Sequence, residues 1–206
     1  DDERAASDMR GAALTSNGRS AVDAPIVVVS GLPRSGTSMM MQMLAAGGMP
    51  VLTDGQRQAD THNPNGYFEF SPVKQIARDT DWLADAPGRA VKVVAPLLEW
   101  LPPGYAYRIV LMQRSVEEVE ASQQRMLGQA QAEDLRAALA KAQERARVWV
   151  QRQKNVACIE VAHSETVARP RDVAERIATF LRRSLDVHAM AAAVDARLHR
   201  QKRLGI

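Results

Sequence analysis

Cysteine and aromatic residues are scarce in this sequence: Cys158 is its one cysteine, and Phe, Trp and Tyr make up 4% of 206 residues. A single cysteine cannot close an internal bridge, which excludes a disulfide scaffold and favours a reducing compartment or indifference to redox, with a cytoplasmic setting the expectation. No apolar stretch approaches the roughly 20 residues needed to cross a bilayer, and no basic segment followed by an apolar one opens the chain. A membrane is therefore not expected among its partners. An excess of one charge is also missing, with 27 Lys and Arg against 24 Asp and Glu, a net of +3. What remains, 46% hydrophobic residues in a chain of this length, suits one domain with an ordinary apolar core. That domain is expected over residues 25–206, behind a leader at 1–24 whose Asp, Arg, Ala, Gly and Ser show no periodicity and predict flexibility.

The charge is less even along the chain than its total implies. Residues 1–135 carry a net −5 and residues 136–206 a net +8. A basic C-terminal third attracts polyanions, either a phosphorylated cofactor or nucleic acid, although solvated Arg-rich helix faces explain it equally well. No aromatic residues interleave with those arginines as on a single-strand stacking platform, so nucleic acid is not expected as a partner.

Strands and helices alternate. Ile26-Val27-Val28-Val29 is β-branched without polar alternation, as in a strand buried on both faces. A tight turn over Gly31–Gly36 leads into a helix from Ser35 to about Gly47-Gly48. Residues 53–72 contain Asn63-Pro64-Asn65-Gly66 and read as a long loop, followed by a helix over Val73–Leu83. Further strands are expected at Ala90–Val94, Tyr107–Met112 and Val156–Val161. Helices are expected at Val116–Leu127, Glu133–Lys154, Arg171–Leu181 and Val187–Leu198. This order predicts an α/β fold, a three-layer α/β/α sandwich on a mostly parallel sheet. Met39, Met40, Met41 and Met43 are expected to fill the space under the sheet. Cys158 is expected to be buried in its strand, and Trp82, Trp100 and Trp149 to be core or pocket wall.

The stretch Ser30-Gly31-Leu32-Pro33-Arg34-Ser35-Gly36-Thr37-Ser38 carries the specific chemistry. A buried strand entering a glycine turn and then a helix start aims several backbone N–H groups and the positive end of a helix dipole at one point, which makes an anion cradle. Glycine at 31 and 36 allows close approach to a phosphate, and Thr37 and Ser38 supply hydroxyls. The spacing of the glycines matches G-x-x-x-x-G-K-[ST], but Thr37 replaces the lysine that reaches the β- and γ-phosphates. The third strand ends in Gln113-Arg114 where a hydrolase would place an Asp for Mg²⁺.

Pro33-Arg34-Ser35-Gly36-Thr37-Ser38 resembles the 5′-phosphosulfate loop of the sulfotransferases, P-[KR]-S-G-T-[ST], in the form found in tyrosylprotein and many bacterial enzymes. Arg114 with Ser122 eight residues later resembles the pair that reads the cofactor's 3′-phosphate in that family, although Ser115-Val116 stands where Asp-Pro is usual. The strand, loop and helix from Ile159 to Leu181 resemble the family's late architecture, so the likeness covers about residues 25–200. The C-terminal Arg-Lys-Gly segment of the cytosolic enzymes is absent.

The resemblance implies a P-loop NTPase-like sulfotransferase fold and transfer of a sulfuryl group from 3′-phosphoadenosine 5′-phosphosulfate (PAPS) to a hydroxyl or amine, with no metal. The acceptor is a small molecule or a peptide. Pro33, Arg34, Ser35, Gly36, Thr37 and Ser38 would hold the 5′-phosphosulfate, with Arg34 as an electrostatic clamp on the leaving oxygen. Arg114 and Ser122 would hold the 3′-phosphate. Lys92 either contacts the sulfuryl oxygens or snorkels from a sheet edge. A general base is needed within reach of the acceptor; Glu69 ranks first, because Gly66-Tyr67-Phe68-Glu69 resembles a Gly-Tyr-x-Glu block of bacterial members, then Asp54, then His62. Two alternatives stand beside this reading: a P-loop kinase or hydrolase of altered loop, and a non-catalytic nucleotide-binding module.

Overall fold

The computed structural model describes residues 24–55, 68–115, 118–119 and 132–194. The expected leader, the middle of the loop at 53–72, most of the helix expected over Val116–Leu127 and the end of that expected over Val187–Leu198 lie outside them.

Four strands, β1 (Ile26–Gly31), β2 (Ala90–Lys92), β3 (Tyr107–Gln113) and β4 (Val156–Ala162), form one sheet in the order β2-β1-β3-β4. Every pairing is parallel, with Val28 opposite Val91 and Ile109, and Val110 opposite Ile159. All six residues of β1 are buried, as the unbroken apolar run requires of a strand with neighbours on both edges and helices on both faces.

Side-chain alternation along β1 builds two cores. Ile26 and Val28 face a layer containing Leu83, Leu98, Leu139, Ala146 and Val150, supplied by short 3₁₀ helices and by α2 (Ala132–Arg152). Val27 and Val29 face Met40, Met41, Met43, Ile177 and Met190, from α1 (Thr37–Ala46), α4 (Pro170–Leu181) and α5 (Val187–Ala192). The result is the expected α/β/α sandwich, and the methionines of α1 fill the space under the sheet as expected.

Several local expectations are corrected. The single helix expected over Val73–Leu83 is two 3₁₀ helices, Ser71–Gln75 and Asp81–Asp85. Between them the Asp79 carboxylate accepts from the Asp81 N–H at 2.9 Å, a local turn that competes with helix continuation. β2 stops at Lys92, because the chain turns into a 3₁₀ helix over Ala95–Trp100 with Pro96 in its first turn. The segment after β4, expected as loop, forms α3 (His163–Ala168). α5 ends at Ala192. Trp100 is 50% exposed and so is not core, whereas Trp82 and Trp149 pack against the first core. Cys158 is exposed, because β4 is the outer strand of the described sheet. Loss of water around the sulfur within the strand, with the Glu160 carboxylate nearby, pushes its pKa up to about 11, so the thiol stays protonated at neutral pH.

Among the described residues no helix is long and apolar enough to cross a membrane. Met40 is fully buried beneath the sheet, so Met40→Ala is expected to cost about 2–5 kcal/mol, read as a lower midpoint in urea denaturation.

Candidate functional site

β1 lies between β2 and β3, so the chain leaves β1 to one side and later returns on the other. In open α/β sheets such a reversal opens a crevice at the C-terminal strand edges, where ligands bind. The glycine turn and Arg114 both stand at that edge.

The turn is built by close approach. Gly31 has φ 150°, and a Cβ there would strike the Ser35 hydroxyl and lie 2.7 Å from the Met112 carbonyl oxygen. Ser35 N–H donates to the Leu32 carbonyl at 3.1 Å. Arg34 takes a left-handed φ of 71°, and Gly36, at φ 99°, caps α1. The first helical bond runs from Met40 N–H to the Gly36 carbonyl. The N–H groups before it, from Gly36 to Met39, have no partner within the helix by its geometry, and no acidic side chain opposes an anion in the first turn.

The residues of this turn fit a phosphate or phosphosulfate group. Ser35 is 1% exposed, and its hydroxyl has no hydrogen-bond partner among the described residues, a costly state unless a ligand completes it. Thr37 is buried, Arg34, Gly36 and Ser38 are partly exposed, and Pro33 is exposed at the rim.

Arg114 fastens the end of β3 to the turn. Its Nη1 donates to the Arg34 carbonyl at 2.9 Å, and its Nε pairs with Glu118 at 3.1 Å. These bonds fix the guanidinium at the end of β3 against the turn. Ser122, its expected companion, lies outside the described residues.

On the β2 side, Lys92 turns toward the turn. Its side chain is 9% exposed, with Nζ 3.5 Å from the Ser38 hydroxyl and 3.9 Å from a Glu69 carboxylate oxygen. Lys74 also reaches Glu69, at 3.6 Å. Asp54 sits behind Glu69: its carboxylate accepts from Ser71 N–H at 2.6 Å, and its N–H donates to the Glu69 carbonyl at 3.1 Å. Thr53 donates to the same carbonyl. The structure thus brings Ser38, Lys92 and Glu69 together, with Asp54 bracing the segment that carries Glu69. His62 lies outside the described residues.

One residue at this edge was not singled out from the sequence. His163, where β4 passes into α3, packs on Gly36 so closely that a Cβ at 36 would lie 2.7 Å from the ring Cδ2. Its place at a strand end beside the turn is a signal only once β4 is known to lie next to β3.

Much of the basic C-terminal third is engaged elsewhere. Arg145, Arg147, Arg171 and Arg176 pair with Glu99, Glu160, Glu175 and Glu165. Among the described residues no group of three His, Cys, Asp or Glu side chains could hold a metal ion.

A parallel sheet with a glycine turn at its switch point defines a P-loop-like α/β fold. Within that class its fold is that of the sulfotransferases. The sulfotransferase domain of the Synechococcus PCC 7002 olefin synthase matches with a TM-score of 0.52 and 16% identity, over 86% of this chain and 80% of that one. The sulfotransferase domain of the curacin biosynthetic pathway matches at 0.50 and 13%, over 89% and 92%. A sulfotransferase of Mycobacterium tuberculosis H37Rv matches at 0.54 and 13%, over 89% and 77%. No family model and no curated protein sequence matches the chain.

Gly31→Ala puts a methyl group against the Ser35 side chain and the Met112 backbone. The expected outcome is a lower thermal midpoint together with loss of phosphate-ligand binding, both readable in one thermal-shift series with and without adenosine 3′,5′-bisphosphate.

Proposed function

We propose that this protein is a sulfotransferase that moves a sulfuryl group from PAPS to a hydroxyl or amine of a small-molecule or peptide acceptor. The observation that carries the proposal is the meeting of two half-sites at one sheet edge. One is the turn with its unpartnered Ser35 hydroxyl, the other the Lys92, Ser38 and Glu69 cluster beside it.

PAPS supplies an activated sulfur bound through oxygen to the 5′-phosphate. Transfer forms a bond from the acceptor oxygen or nitrogen to sulfur and breaks the bond from sulfur to the bridging oxygen, which leaves with its electron pair as part of adenosine 3′,5′-bisphosphate. Negative charge grows on that oxygen, where Arg34 and the N–H groups of Ser35 to Ser38 stabilise the transition state more than the ground state. Arg34 retains its proton, so its role is electrostatic. Lys92 offers its ammonium to the sulfuryl oxygens, and Ser38 holds it toward the turn. Glu69 takes the acceptor proton. Arg114, with Ser122, receives the 3′-phosphate. Thr37 in place of the P-loop lysine disfavours ATP or GTP hydrolysis.

Calorimetry with adenosine 3′,5′-bisphosphate tests the donor half. Saturable binding is expected, weakened about ten- to a hundredfold by Arg34→Ala, the loss of a charge-assisted contact. Absence of binding by a folded sample, or magnesium-dependent ATP turnover in its place, would contradict the reading. Glu69→Gln tests the acceptor half. It is expected to lower kcat about a hundredfold or more while the bisphosphate Kd stays unchanged. Tight bisphosphate binding with no transfer to any member of a broad acceptor panel would instead identify a non-catalytic nucleotide-binding module.

A further inference from the structure

On the sheet face opposite α1, a groove of about 580 Å³ opens between α2 and the 3₁₀ helix Ala95–Trp100. This volume lies within the range of small-molecule sites, roughly 300–1,000 Å³. Buried Ala95, Leu98 and Ala146 form its floor, and half-buried Ala142, Val148 and Trp149 continue the apolar lining along α2. Neither the phosphate turn nor the Lys92 cluster contributes to it, and nothing about it depends on sulfuryl transfer.

The charges on its rim are not balanced. Arg145 spends its charge on Glu99, bonding both carboxylate oxygens at 2.9 and 3.1 Å. Glu144, three residues from Lys141 on α2, is the other carboxylate of the lining, which holds three cations, Lys141, Arg145 and Arg152, against two acids. Among the described residues, the other two cations of the lining, Lys141 and Arg152, make no hydrogen bond or ion pair. They differ in setting. Arg152 stands in the last turn of α2, where unpaired carbonyls carry partial negative charge that offsets it. Lys141 lies roughly 16 Å back along the helix at 1.5 Å per residue, where no helix terminus opposes it. An apolar trough therefore has a free cation at one end and an indole toward the other.

We propose that this groove binds an anionic amphiphile, an alkyl or aryl-alkyl carboxylate, with its head group at Lys141 and its apolar body along Ala142 and Leu98 toward Trp149. The carboxylate gains an ion pair at the rim without either partner being fully dehydrated, and the apolar body removes the exposed floor from water.

Decanoate below its micellar range, titrated by calorimetry into the whole protein, is the probe, with decanol as the neutral probe of equal chain length. The expected result is saturable decanoate binding, tighter than that of decanol and weakened about tenfold by Lys141→Glu. Ala142→Trp, which fills the groove from a half-buried position, abolishes it while the far-UV circular dichroism is retained. If that variant loses its helical signal, Val148→Glu places a repelling carboxylate in the same lining and is expected to abolish binding instead. No saturable binding, equal affinity for decanol, or decanoate binding indifferent to Lys141→Glu would each overturn the proposal.

Discussion

The candidate site depends on one close approach. The last residue of β1 and the end of β3 meet with no room for a side chain, Gly31 lying against Ser35 and the Met112 carbonyl. Arg114 then closes the same junction from β3 by donating to the Arg34 carbonyl. This contact sets the direction of the turn, so that the N–H groups entering α1 and the guanidinium of Arg114 face one crevice. The left-handed backbone at Arg34 is held by this junction, since such a conformation in a residue with a side chain persists only where its surroundings over-determine it.

The sandwich supports that junction. Strands buried on both faces fix β1 and β3 in register, and the methionine-rich inner face of α1 lets the helix start where the turn requires and still fill the space beneath it. The same register carries Lys92 on β2 to the level of Val29, within reach of Ser38 on α1. Glu69 comes from outside the sheet and is placed by its carbonyl, which accepts from the Thr53 hydroxyl and the Asp54 N–H. The turn and the Glu69 segment are thus held by different means, one by rigid sheet geometry and one by a braced connection.

How much of this was legible in the sequence follows from the range of the forces involved. The run Ile26 to Val29, the paired glycines and the long amphipathic α2 are local patterns, and they led to the layers, the parallel sheet and the turn. Short 3₁₀ helices left no clear period, so the segment Val73–Leu83 was expected as one helix where two 3₁₀ helices form. The exposure of Cys158 and Trp100 was hidden because apolar residue type does not say which strand lies outermost or which helix end meets solvent. Lys92 left two placements open, since a strand period does not reveal which strand will neighbour which. His163 entered the site only through the pairing of β4 with β3.

The most direct test of the central claim is a crystal structure with adenosine 3′,5′-bisphosphate bound. The account predicts the 5′-phosphate against the N–H groups of Ser35 to Ser38 with the Ser35 hydroxyl as a donor, and the 3′-phosphate on Arg114. A bisphosphate bound away from this turn, or a turn that stays empty at saturating ligand, would contradict it.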